Sequence, residues 1–156
     1  MDAVTSARET LDRLVRALDA HDVEEAVLLF HPQGAIVGPE GTADGRIEIA
    51  SYLEGFFLAF PDCRHLIWRQ MEVGDCAINE VTLTGTHKGP LLLPTGEEVE
   101  ATERRFHLRA CEIATVEDGL VIGYQFYSDQ LELLAQLGLY PPPDPPPDRP
   151  PDRPPG

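Results

Sequence analysis

The segment LVIGYQFYSDQLELLAQL, residues 120–137, decides the fold. Apolar and polar side chains alternate as far as Ser128, which is typical of a half-buried strand, and leucines at helical spacing follow from Gln130. Asp129 stands at the junction of the two patterns. A carboxylate held there could face a pocket and transfer protons. Alternatively, Ser128 or Asp129 could cap the helix by accepting hydrogen bonds from its free amides. The residues alone leave both interpretations open.

The chain before residue 120 predicts helices followed by a meander of strands. Asp118-Gly119 is a typical hairpin turn, and a period of two predicts strands over 64–73, 76–88 and 99–117, with a loop over 89–96. Capping signals and helical spacing predict helices over 6–20, from residue 22 to before Pro32, and over 46–60. A brief strand at 35–37 and a loop over 38–45 separate the last two helices. We expect an α+β fold in which a curved antiparallel sheet, wrapped by the N-terminal helices, encloses an apolar cavity.

The composition of the chain limits the classes of partner that the protein is expected to bind. A chain of 156 residues, 42% hydrophobic, can form one domain, here 1–140, without metal or disulfide staples. The net charge of -15 argues against a nucleic acid or an anionic membrane as partner, because both bind clustered Lys and Arg. Neither a signal peptide nor a membrane span is recognisable, so we expect a cytoplasmic protein. Cys63, Cys76 and Cys111 lack paired spacing and are expected to be free thiols, and no histidine pair has metal-site spacing. We therefore expect no metal and no other cofactor.

The last sixteen residues differ abruptly from the rest. Ten of the fifteen prolines lie between Pro141 and Pro155. Such a segment lacks the apolar side chains that build a core, and we expect an extended, polyproline-like tail over 141–156. Its PxxP spacing also fits the aromatic grooves that bind proline-rich segments, so the tail is either a disordered, solvated extension or a docking segment for a polyproline-binding partner.

Strand parity indicates which side chains could share a pocket. Gln125, Tyr127 and Asp129 lie on one side of the last strand, and Asn79 and His87 lie on one side of a middle strand. Which side is concave is not derivable from the sequence. Each candidate also has a structural interpretation: His87 could face solvent or bond the backbone, and Asn79 could satisfy a local polar network. Three aromatic residues could line the pocket or could instead pack in the core: Tyr52, Phe56 and Trp68.

Three segments together resemble the SnoaL-like polyketide cyclases of the nuclear transport factor two-like superfamily. They are Phe60-Pro61-Asp62-Cys63-Arg64-His65, Gly85-Thr86-His87-Lys88-Gly89-Pro90, and the closing segment from Asp129 to Leu139. The resemblance covers about residues 6–140. It implies a cone-shaped sheet with an apolar cavity, usually in a homodimer, and an acid/base role for Asp129 in an intramolecular aldol ring closure. The chain departs from the family pattern at Gln125, where tryptophan is common, and at Ile113 and Thr115, near the expected place of a partner histidine.

These observations favour a cofactor-independent cyclase or isomerase that acts on a small, hydrophobic, polyketide-like carbonyl compound. Asp129 would transfer the proton, while His87, or Gln125 with Tyr127, would stabilise the enolate oxygen. Two alternatives remain. One is an epoxide hydrolase or epoxide-opening cyclase, which would need two carboxylates with an arginine between them. The other is a non-catalytic module for small-molecule binding or dimerisation.

Overall fold

The first helices begin at the predicted capping signals. Ser6 caps the first helix by accepting from the Glu9 amide, and the Glu9 side chain accepts from the Ser6 amide in return, which completes the capping box. Asp22 caps the second helix by accepting from the Glu25 amide at 3.0 Å. The computed structural model describes residues 5–140. Their elements are α1 (Ala7–Asp19), α2 (Val23–Leu28), β1 (Phe30–Gly38), β2 (Gly41–Asp44), α3 (Gly45–Ala59), β3 (Arg64–Val73), β4 (Cys76–Thr86), β5 (Leu91–Leu92), β6 (Glu98–Val99), β7 (Arg105–Glu117), β8 (Leu120–Ser128) and α4 (Gln130–Gln136).

Six strands form one curved sheet in the order β2-β1-β8-β7-β4-β3. The predicted α+β class and the hairpins β3–β4 and β7–β8 are confirmed. The expectation of a purely antiparallel sheet is wrong at one place, because β1 runs parallel to β8 with Ile36 opposite Tyr124. The sheet is therefore mixed, and it stays open because β2 and β3 lie at its edges. When a short strand lies far from its partner in the sequence, its residues do not indicate whether the two strands pair in parallel or antiparallel.

The ends of several elements differ from the prediction. Strand β1 begins at Phe30, where the sequence predicted a helix, and its register against β8 shifts between Phe30 and Ala35, around Pro32. The predicted strand over 99–117 begins only at Arg105. Within the predicted loops, β2 pairs with β1, and β5 pairs with β6 in a small separate ladder. These short strands contain no run of alternating residues long enough to be recognised.

The helices and the curvature of the sheet create an interior lined by one face of each strand. Side chains of α1, α2, α3 and the inward faces of β1, β4, β7 and β8 form a first core cluster, and α4 with β4, β5 and β7 contributes to a second. Within residues 5–140, no helix is long and apolar enough to cross a membrane. The predicted proline-rich tail lies outside the described residues.

Candidate active site

An apolar cavity lies between α1, α3 and the concave face of the sheet. Its volume is about 50 Å³. Nearly all its wall is aliphatic or aromatic, and the lining residues whose side chains carry a polar group are Tyr52, Cys63, His65 and Tyr124. The remaining lining residues are Leu14, Leu18, Phe30, Ile36, Leu53, Phe56, Phe57, Leu83 and Phe126.

Glu112 is the centre of a buried polar network behind this wall. It lies on β7, on the inward face that otherwise carries apolar side chains, and none of its surface is exposed. One carboxylate oxygen, Oε1, accepts from the Asn79 amide at 2.9 Å, and the other, Oε2, accepts from the Tyr124 hydroxyl at 2.5 Å. The antiparallel register places Asn79 on β4 directly opposite Glu112. A buried carboxylate with these partners is retained as an anion because its oxygens are hydrogen-bonded.

His65 connects this network to the cavity and to α1. Its Nδ1–H donates to Asp19 at 2.7 Å, and its Nε2 lies 3.4 Å from Glu112 Oε2, so two carboxylates flank one imidazole. Burial by itself would lower the pKa of His65, but the hydrogen bonds and charges of Asp19 and Glu112 outweigh it and raise the pKa to about 9. The ring is therefore an imidazolium at neutral pH.

The charge on His65 in turn affects its neighbours. Burial would raise the pKa of Glu112, but hydrogen bonds and charge from His65, together with Tyr124 and Asn79, leave it below its ordinary value. Burial, and then the negative charge of Glu112, raise the pKa of Tyr124, which stays protonated. Burial, followed by the charges of Asp19 and Asp62, likewise raises the pKa of the Cys63 thiol, which is a poor nucleophile in this state. All three cysteines are free thiols.

Two aromatic residues of α3 separate the cavity from its surroundings. Tyr52 and Phe56, one helical turn apart, line the cavity and also an outer pocket of about 300 Å³ between α3 and β5. They line a third space of about 30 Å³ toward α4 as well. The inner cavity alone is smaller than the 300–1,000 Å³ or so that typically enclose a drug-sized ligand. Inner and outer spaces joined by rotation of the Phe56 side chain alone, with Tyr52 in place, would reach that range.

Asp129 does not face this interior. Its side chain is exposed and accepts from the amides of Leu131 at 3.0 Å and Glu132 at 3.2 Å, so it caps α4. The cavity-lining residues of β8 are Tyr124 and Phe126, on the opposite parity. Of the two interpretations that the sequence left open, the structure supports the helix cap, and the expectation of a proton-transfer group inside the cavity is wrong for this residue.

The role of Asp129 as an exposed helix cap predicts how its substitution affects stability and turnover. Asp129→Asn should leave both stability and any turnover unchanged, since asparagine caps helices about as well as aspartate. Asp129→Ala should lower the free energy of unfolding by about 1 kcal/mol, because the amides of α4 lose their acceptor. Urea denaturation of the two variants measures this difference. A large loss of turnover in Asp129→Asn with unchanged stability would restore this aspartate to the chemistry.

The other candidates fall into three groups. Tyr52 and Phe56 lie on the cavity wall, as described above. Asn79 donates a hydrogen bond to Glu112 behind the cavity wall and does not line the cavity itself. Gln125, Tyr127 and Trp68 lie on the outer face of the sheet: Tyr127 is 57% and Trp68 66% exposed, and the Trp68 indole N–H donates to Thr82 at 2.7 Å. Gln125, Tyr127 and Trp68 were expected to contact the pocket. They do not line it, because the concave side of the sheet carries the side chains that alternate with them along each strand.

His87 is buried but lies away from the cavity. Its Nδ1 accepts from the Thr102 amide at 3.1 Å, and its ring packs beside Phe60 with centroids 5.7 Å apart. Burial lowers its pKa, so the ring is neutral. The structure thus supports the backbone-bonded interpretation of this histidine, which is not among the residues that line the cavity.

Sequence reasoning named Asn79 among the members of the network, with a local polar network as one of its possible roles, and the structure supports that role. It did not single out His65, Asp19 or Glu112 as site residues. One signal was available: Phe106, Leu108, Ala110, Ala114 and Val116 share a strand face with Glu112, so an acidic residue interrupts an otherwise apolar face. A carboxylate in such a position needs buried partners, and this need marks it as a candidate site.

Across residues 5–140, no group of three or more His, Cys, Asp or Glu side chains is arranged to hold a metal ion.

Comparison with solved structures shows the same fold in bacterial proteins. A candidate SnoaL-like polyketide cyclase from Jannaschia sp. CCS1 is 20% identical, with a TM-score of 0.77 over 91% of this chain and 97% of that one. IdmH, a candidate polyketide cyclase from Streptomyces antibioticus, is 24% identical, with a TM-score of 0.70 over 85% of this chain and 98% of its own. AclR, a candidate hydroxylase from Streptomyces galilaeus, is 21% identical, with a TM-score of 0.73 over 89% and 100% of the two chains. These identities show a shared fold only.

No curated protein matches the sequence. The model of the SnoaL-like domain family matches residues 11–124, which span α1 to β8 and include every member of the buried network. The chain therefore belongs to the SnoaL-like domain family, and its fold is that of the nuclear transport factor two-like proteins.

Proposed function

We propose that this protein is a cofactor-independent cyclase or isomerase that acts on a hydrophobic, polyketide-like carbonyl compound. The observation that carries the proposal is the position of His65, held between the carboxylates of Asp19 and Glu112 on the wall of an apolar cavity. A positive N–H in a water-poor site stabilises negative charge that develops on oxygen far better than the same group does in water.

The reaction needs proton transfers and, for ring closure, the formation of one C–C bond, with no oxidation or reduction. A C–H bond next to a carbonyl breaks, its proton passes to a carboxylate, and the electron pair moves to the carbonyl oxygen. The Nε2–H of His65 stabilises the resulting enolate, because its 3.4 Å contact with Glu112 is longer than an ordinary hydrogen bond and this proton can be shared with a ligand. In ring closure the enolate carbon attacks a second carbonyl of the same molecule, and the new alkoxide takes the proton back. In isomerisation the proton returns to a different carbon.

A slow ketone tests this proposal without knowledge of the natural substrate. The full chain should accelerate deuterium exchange at C1 of 2-tetralone, followed by NMR in D₂O. His65→Gln should lower the rate on the order of 10²-fold, because a neutral amide replaces the charged donor. Binding of 2-naphthol, a planar analogue of the enol, should persist in the variant and shows that the cavity is intact.

The matched control is His107→Gln, which changes an exposed histidine on β7 and should retain the wild-type rate. A protein that binds 2-naphthol but gives no exchange above buffer is a binding module, and the catalytic proposal then fails.

Epoxide opening is a second candidate, supported by the same network. Two carboxylates, Asp19 and Glu112, flank a cation, although the cation is a histidine where the sequence argument required an arginine. In that reaction a carboxylate would activate water while an acid protonates the epoxide oxygen. Diol formation from styrene oxide, with no exchange in 2-tetralone, would favour this candidate over the cyclase.

We also propose that the protein forms a homodimer through the outer face of the sheet. This face exposes a set of large apolar side chains, and exposed apolar sheet surface is typical of an interface. Its members are Val37, Leu66, Trp68, Met71 and Tyr127.

Trp68→Glu should convert the dimer to a monomer in sedimentation velocity, because a charge at the centre of an apolar interface is left unpaired. Ile47→Glu on α3, which changes an equally exposed side chain away from this face, should leave the dimer intact. A wild-type protein that sediments as a monomer at micromolar concentration would refute the interface.

A further inference from the structure

The buried network supplies proton donors but no free base. Both oxygens of Glu112 are occupied, one by Asn79 and the other by Tyr124 with His65 beside it. Asp19 lies behind His65, on the side away from the cavity wall. Removal of a proton from carbon therefore requires an acceptor from another part of the pocket.

Glu40 lies outside the inner cavity, on the other side of Tyr52. Its Oε2 accepts from the Tyr52 hydroxyl at 2.6 Å. Within residues 5–140, Oε1 has no hydrogen-bond partner. The side chain lines both the outer pocket and the narrow space toward α4, and each of these spaces shares Tyr52 and Phe56 with the inner cavity.

The Glu40–Tyr52 contact is built into the backbone. Strand β1 ends at Gly38, and a Cβ there would lie 2.0 Å from the Tyr52 hydroxyl oxygen, so only glycine admits the tyrosine at this place. Pro39, whose ring fixes its own backbone angle, follows and leads directly to Glu40. Burial, and then the charge of Glu40, raise the pKa of Tyr52. The hydroxyl therefore stays protonated and holds one oxygen of Glu40 in place.

We propose that Glu40 is the catalytic base of this pocket, with Tyr52 as its positioning residue. This inference rests on the proposed function, since it supplies the carboxylate that the reaction requires. Tyr52 orients Oε2, which leaves Oε1 to receive the proton from the carbon next to the substrate carbonyl. The electron pair of the broken C–H bond moves to the carbonyl oxygen at His65, and Glu40 later returns its proton to the alkoxide or to another carbon.

The opposite charges of Glu40 and His65 explain why one is the base and the other the hydrogen-bond donor. A base and a hydrogen-bond donor on the two sides of Tyr52 and Phe56, in adjoining spaces, would polarise from both sides a ketone that spans them. The position of Glu40 also favours a substrate that extends from the inner cavity into the outer pocket, with its acidic C–H group at the level of Tyr52. The outer pocket carries a second carboxylate, Glu98, so this portion of the substrate should be neutral or cationic.

The test uses deuterium exchange in 2-tetralone with the full chain. Glu40→Gln preserves size and can still bond Tyr52, and it should lower the exchange rate on the order of 10²-fold while 2-naphthol binding stays within about twofold of the wild type. Glu40→Asp retains a carboxylate and should recover part of the lost rate. Glu54→Gln removes the same charge from an exposed site on α3, outside these pockets, and should retain the wild-type rate.

The outcomes separate this inference from the proposed function. Exchange by the wild type that survives in Glu40→Gln but is lost in His65→Gln overturns the assignment of Glu40 and leaves the proposed function standing. An equal loss in Glu54→Gln overturns it as well, because the effect would then be one of overall charge. A wild type without exchange refutes the proposed function, and the assignment falls with it.

Discussion

Glu112→Ala is expected to lower the free energy of unfolding by about 3–5 kcal/mol. The substitution removes the acceptor of Asn79 and Tyr124 and leaves the His65 imidazolium with Asp19 as its only charged neighbour in the described network. A buried charge or donor without its partner incurs the full desolvation penalty, so the loss exceeds the net contribution of any single hydrogen bond. Urea denaturation at neutral pH measures the difference.

The control is Glu80→Ala on the neighbouring strand β4. Glu80 is exposed and pairs with Arg69 at 3.8 Å, so its removal should cost no more than about 1 kcal/mol. The double variant Glu112→Leu with His65→Leu should recover part of the loss, because it removes the cation together with its partner. A loss below about 1 kcal/mol in Glu112→Ala would show that the network does not hold a charge in solution.

The second large effect is a dependence of stability on pH. The pKa of His65 is raised from 6.5 to about 9 in the folded protein, so the folded state binds the proton more tightly than the unfolded chain. The resulting stabilisation is fully present below pH 6.5 and is lost as the pH rises through about 9. At 1.36 kcal/mol for each pH unit, it amounts to about 3 kcal/mol. Stability should fall steadily over this interval.

Glu112 contributes with the opposite sign. Its folded pKa is lower than the ordinary value of 4.5, so its contribution is present above pH 4.5 and is lost as the pH falls below it. Between these two intervals, at about pH 4.5 to 6.5, both contributions are complete and the stability due to this network is greatest.

Urea denaturation at several pH values from 6 to 9 tests the prediction. His65→Gln should flatten the decline, whereas the exposed control His107→Gln should retain it. The series should end at pH 9, because the raised pKa of the Cys63 thiol adds a further loss of stability above that pH. An unchanged slope in His65→Gln would mean that His65 is not the group that titrates.

Local patterns in the sequence predicted several elements well. The bounds of β3 and β8 agree with the prediction, since Gly74-Asp75 and Asp118-Gly119 punctuate long alternating runs. Both glycines adopt positive φ, 60° at Gly74 and 75° at Gly119, as such turns require. The start of α1 was predicted for a similar reason, because the capping box involves residues only three positions apart.

Long-range contacts explain most of the errors. The parallel pairing of β1 with β8 joins residues such as Ile36 and Tyr124, which are far apart in the chain. The family resemblance directed attention to Asp129, yet the cap that this residue forms is a purely local interaction and needs no pocket. The short strands β2, β5 and β6 exist because a neighbouring strand pairs with them.

The α+β class, the hairpins, the first capping box and the family resemblance could all be predicted from the residues, since each depends on positions close in the chain or on an overall pattern. Which strand face is concave depends on three-dimensional packing, and so does the arrangement in which His65 and Tyr124 line the cavity, Glu112 lies behind them, and Tyr127 and Trp68 face outward. The physical reason is that the alternation of a strand defines two faces, whereas the packing of helices against one of them decides which becomes the interior.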